Sequence, residues 1–176
     1  MNVFILNTGR CGSTTFIKAC QHITNYSSAH ESRSTLTGEH RLDFSDNHIE
    51  ADNRLSWILG RLDKIYGNRA FYVHLSRDKN KTADSFSKRS EFGIMKAYRE
   101  GILMQEQENN SALKLAQDYI ETIESNIALF LKDKTHVLEF SLENAAQDFE
   151  TFWQAIDAEG DFDAAVAEWK TSYNAS

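Results

Sequence analysis

With 176 residues the chain is long enough for one sizeable core, and an acidic balance of −7 argues against nonspecific nucleic-acid binding. Its 41% apolar and 26% charged content are those of an ordinary globular protein, with no run near the roughly 20 apolar residues that cross a bilayer. Cys11 and Cys20 offer neither a disulfide framework nor metal-ligand spacing, so a cytoplasmic protein without a bound metal is expected.

In chain order, the first element is an apolar run, "NVFILN" (2–7), that stops in a glycine-rich turn, "TGRCGSTT". The helix-like "FIKACQHI" follows. "YSSAH" (26–30) is a weaker strand candidate. Residues 53–66 set Leu55, Ile58, Leu59, Leu62 and Ile65 on one helical face, with Asp52 as N-cap and Gly67 as stop. "AFYVHLS" (70–76) and "THVLEFS" (135–141) are further strands, rich in β-branched and aromatic residues without clean alternation. That pattern suits strands covered on both faces. Residues 111–132 place Leu113, Ala116, Ile120, Ile123, Ile127 and Leu131 at helical spacing, and Phe149, Phe152, Trp153 and Ile156 repeat the pattern. Strands alternating with helices predict βαβ units, a mostly parallel sheet and one α/β domain over 1–176.

Charge is unevenly spread along this order. Residues 1–99 hold 15 Lys/Arg against 10 Asp/Glu, whereas residues 100–176 hold 4 against 16. An anionic ligand therefore belongs with the first half. There, a strand, a glycine turn and a helix start point backbone N–H groups and the positive helix end at one spot. Ser13, Thr14 and Thr15 add hydroxyl donors and Arg10 a planar fork. A Walker loop needs G-x-x-x-x-G-K-[ST], but Gly9 and Gly12 are only three apart and Ser13 follows Gly12. A C-x5-R phosphatase loop starting at Cys11 would need arginine where Ile17 stands.

"GRCGSTTF" instead resembles the 5′-phosphosulfate loop of the sulfotransferases, with Arg10, Cys11, Gly12, Ser13 and Thr14 at the matching positions. A second match lies in "VHLSRDKNKTADSF" (73–86). In that family an arginine at a strand end and a serine eight residues later bind the 3′-phosphate of the donor, and Arg77 and Ser85 have this spacing. The resemblance implies a three-layer fold of the P-loop type and a donor, 3′-phosphoadenosine 5′-phosphosulfate, held by Arg10, Cys11, Gly12, Ser13, Thr14, Thr15, Arg77 and Ser85. It also implies a hydroxyl-bearing acceptor: a carbohydrate, a tyrosine or a small molecule.

"SSAHESR" (27–33) supplies the catalytic base that the resemblance implies. Tyrosylprotein and some carbohydrate sulfotransferases use a glutamate in this region, and Glu31 lies 21 residues after Arg10. His30 is its rival, since either side chain can act as general base. Two departures stand out. Lys79 occupies a position where the family often has proline, and after Lys134 the only basic residue is Lys170, whereas cytosolic sulfotransferases close over the 3′-phosphate with a basic C-terminal segment; either another segment closes the site or the donor is more exposed. With so short a chain, residues 33–54 are expected to build the acceptor pocket. Two other functions fit the same loop: a P-loop phosphoryl transferase, or a non-catalytic protein that binds adenosine bisphosphate.

Overall fold

The computed structural model describes residues 1–105 and 111–171. Five strands form one sheet in the order β2-β3-β1-β4-β5: β1 (Val3–Leu6), β2 (Ser27–His30), β3 (His48–Ala51), β4 (Phe71–Ser76) and β5 (Val137–Ser141). Every pairing is parallel, and β1 runs down the centre with Val3 beside both Ile49 and Phe71. All four residues of β1 are buried, as its uninterrupted apolar run predicts for a strand covered on both faces.

Helices supply those covers. Val3 and Ile5 meet a core built from α1 (Ser13–Cys20), α6 (Ala145–Ala155) and α7 (Phe162–Ala167). Phe16 is its hub, with its ring 5.0 to 5.9 Å from those of Phe140, Phe149, Phe152 and Trp169. On the other face, Phe4 and Leu6 meet α2 (Leu59–Ile65), α3 (Lys79–Ser87), α4 (Gly93–Ala97) and the long α5 (Ala112–Leu131). The result is a three-layer α/β fold with an all-parallel sheet. Among the described residues no helix is long and apolar enough to cross a membrane.

Two elements differ from the sequence reading. Strand β3 lies inside residues 33–54, where an acceptor pocket is expected, because His48, Glu50 and Asp52 mask its strand character. These polar residues are buried but satisfied: Arg41 Nη2 lies 2.5 Å from Asp52, and His48 Nε2 lies 2.9 Å from Glu50. The helix expected over 53–66 is split into a 3-10 turn (Asn53–Trp57) and α2, with Ile58 between them at φ −128°. Side-chain bonds tether that first turn to the loop after β1: Ser56 Oγ donates to the Asn7 carbonyl at 3.2 Å and Asn53 Nδ2 to the Thr8 carbonyl at 3.4 Å.

The order of strands places the site. From β1 the chain passes to α1 on one face, whereas β3 and β4, its neighbours, lead to helices on the opposite face. Loops that part in this way leave a crevice at the carboxyl ends of the strands.

Candidate functional site: the loop after the first strand

Asn7 shapes the loop from within. Its Oδ1 accepts the Gly9 N–H at 2.8 Å while its Nδ2 donates to the Ile5 carbonyl at 3.0 Å. Tyr119, buried on α5, supports the same turn by donating its hydroxyl to the Thr8 carbonyl at 2.9 Å. Gly9, Arg10 and Gly12 then take φ values of 90°, 60° and 92°. Glycine at position 12 is required twice over, since a Cβ there would stand 2.7 Å from Leu142 Cδ1. Helix α1 begins at the next residue, with no acidic side chain in its first turn. This is the geometry of an anion site at a helix N-terminus.

Guanidinium groups converge on the loop. Arg10 Nε donates to Ser85 Oγ on α3 at 2.9 Å, and Arg77 Nη1, from the end of β4, donates to the Arg10 carbonyl at 3.1 Å. The two motifs, distant in sequence, form one hydrogen-bonded cluster. Partial burial lowers the Arg10 pKa, and the positive charges of Arg89 and Arg77 lower it further. An anion placed here would relieve that repulsion.

A cavity of about 280 Å³ opens beside the cluster, lined at this end by Gly9, Arg10, Ser13 and Thr14. His30 and Glu31, at the end of β2, stand on the same cavity. His30 Nε2 lies 3.0 Å from Ser13 Oγ, and Arg54 Nη1 lies 2.9 Å from Glu31 Oε2. Of residues 33–54 only Asn53 and Arg54 reach it; the remaining wall comes from Phe86, Arg89 and residues 92–95. Phe92 is 71% exposed at this wall, and Arg89 is set by its N–H bond to the Phe86 carbonyl at 2.8 Å.

The other expected residues lie elsewhere. Arg77 and Ser85 touch Arg10 without lining the cavity. Thr15 is buried in α1. Cys11 is buried against Asn7, its Sγ 3.5 Å from Oδ1, and burial pushes the thiol up to about 12; it is a packing residue of the turn and no nucleophile at neutral pH. Sequence reasoning missed the pairing of Arg54 with Glu31, and the 86–95 wall. Residues 77–89 hold five Lys/Arg against two Asp, a local signal for Arg89, but none marked Phe92 or Ile94.

What the arrangement offers chemically is a cationic, amide-rich end for an anion, a carboxylate and an imidazole across the cavity, and a partly apolar wall. The chain matches no protein-family model and no curated protein sequence.

Proposed function

We propose that the protein is a sulfotransferase that moves a sulfuryl group from 3′-phosphoadenosine 5′-phosphosulfate to an acceptor hydroxyl. One observation carries this reading: Arg10, Ser85 and Arg77 are joined by hydrogen bonds of 2.9 and 3.1 Å beside a cavity that also holds Glu31. A ligand anionic at two points suits that cluster, because the guanidinium groups of Arg77 and Arg89 both repel that of Arg10. The absence of a lysine after Gly12 disfavours the phosphoryl-transfer alternative.

Gly12, Ser13, Thr14 and Arg10 would hold the phosphosulfate end, with Arg77, Ser85 and Arg89 toward the ribose phosphate. Bound there, the donor supplies an electrophilic sulfur for in-line attack. The chain's own contribution has three parts. Glu31 accepts the proton of the acceptor hydroxyl, Arg54 holds that carboxylate in place by its 2.9 Å contact, and Arg10 with the first-turn amides stabilises charge gathering on the departing phosphate oxygens.

Calorimetric titration tests the reading. Adenosine 3′,5′-bisphosphate should bind without magnesium and more tightly than ATP with magnesium; the opposite preference ends the sulfotransferase proposal.

A further inference from the structure

Strand β3 carries His48 and Glu50 on the face turned away from Ile49 and Ala51, and a third polar residue, Asp52, follows the strand directly. Carboxylates are costly inside a sheet unless they are fully bonded, and strand pairing alone needs neither Glu50 nor Asp52. Where their bonds go is therefore informative. Glu50, with no exposure, accepts the Ser32 N–H at 2.7 Å and the Ser32 hydroxyl at 2.6 Å, and its Oε2 lies 2.9 Å from His48 Nε2. Asp52, equally buried, accepts the Arg54 N–H at 2.8 Å and Arg41 Nη2 at 2.5 Å. Arg54 in turn reaches Glu31 at 2.9 Å.

Glu31 is thus gripped from two sides. Its backbone stands at φ 53°, with its N–H donating to the Ala51 carbonyl at 3.0 Å. A residue other than glycine holds that conformation when its surroundings over-determine it. Glu50 fixes the residue that follows, and Asp52 fixes the backbone of Arg54 and lies 3.8 Å from the guanidinium that meets the side chain. We infer that Glu50, together with Asp52 acting through Arg54, positions the Glu31 carboxylate for proton transfer. The inference rests on the sulfotransferase reading and adds two positioning residues to it.

Glu50→Gln is the direct test, because an amide cannot accept from both Ser32 donors and also meet His48 as the carboxylate does. Transfer of label from ³⁵S-donor to p-nitrophenol or water should fall on the order of 10²-fold, with affinity for adenosine 3′,5′-bisphosphate unchanged. In a Glu31→Gln background the same substitution should cost nothing more, since it acts through Glu31. The Ser32 amide, bonded to Glu50, should exchange hydrogen slowly in the wild-type protein and quickly in the variant. If Glu50→Gln does not fold, Ser32→Ala removes only the hydroxyl bond from an exposed residue. It should slow transfer several-fold, again only when Glu31 is present.

Full transfer in Glu50→Gln, or in Ser32→Ala where that variant stands in, overturns the inference, and so does equal loss with and without Glu31. A wild-type protein that binds the bisphosphate yet moves no label removes Glu31 as a base and its positioning with it. Failure of the wild-type protein to bind the bisphosphate overturns the sulfotransferase reading as well. Bisphosphate binding with transfer insensitive to Glu50→Gln overturns this inference alone.

Discussion

Gly12→Ala separates the role of the loop backbone from that of its side chains. The residue sits at φ 92°, and an added Cβ would lie 2.7 Å from Leu142 Cδ1. Left-handed backbone costs an alanine about 1–2 kcal/mol. Turning Leu142 out of the way adds about 0.5–1.5 kcal/mol if its side chain leaves a preferred rotamer. The sum is roughly 1.5–3.5 kcal/mol, a fall in melting temperature of about 3–14 °C for a domain of this size. Thermal unfolding of Gly12→Ala and of Gly12→Ala with Leu142→Ala gives the measurement. Against the Leu142→Ala parent, the alanine at 12 should then show only the backbone part of the cost. Binding of adenosine 3′,5′-bisphosphate should weaken in both Gly12 variants, because the first-turn amides of α1 shift with the loop. A single variant as stable as the wild type, binding with unchanged affinity, would refute the argument that this turn needs glycine.

Other substitutions and conditions probe the rest of the molecule. Arg77→Ala removes a charge-assisted partner worth about 1.5–3 kcal/mol, so affinity for the bisphosphate measured by calorimetry should fall about 10- to 150-fold; an unchanged affinity would remove Arg77 from the site. Arg41→Ala removes the 2.5 Å partner of the buried Asp52 and leaves it Arg54, whose N–H bonds it at 2.8 Å and whose guanidinium lies 3.8 Å away, and urea unfolding should register a loss of up to about 3–5 kcal/mol. Burial pushes the Cys11 thiol up to about 12 and raises the Tyr72 and Tyr119 hydroxyls as well. Above pH 9 the unfolded chain therefore releases protons that the native protein keeps, and stability should decline as pH rises toward 12, by up to about 1.4 kcal/mol per pH unit for each such group. Melting temperatures constant between pH 8 and 11 would contradict that burial, as would rapid alkylation of native Cys11 at pH 8.

Much of the architecture is written locally. "VFIL" and "FYVHLS" are runs that a doubly covered strand uses well, and β1 and β4 lie where they stand; "VLEFS" forms β5 as expected, but at the edge of the sheet with only Phe140 buried. The glycine pair is legible for the same reason: positive φ at residues 9 and 12 is a property of the turn itself. The spacing of Arg77 and Ser85 is local too, a strand end and two turns of helix.

Tertiary structure alone decided the rest, because the deciding interactions join residues far apart in the chain. Strand β3 looks polar until Arg41 and Ser32 close over its carboxylates. The side chain of Cys11 turns inward because Asn7 and the core claim it, although its neighbours in the sequence are ligand-like. Tyr119 supports a loop 111 residues away, and Arg54 finds Glu31 across the end of β2. The amino-acid order by itself thus determines the strands other than β3, the tight turn and the cationic half of the molecule, each a matter of short-range propensity and charge. Which side chains face one cavity, and which carboxylate is held there, follows only when the parallel sheet brings the ends of β1, β2, β3 and β4 to a common edge.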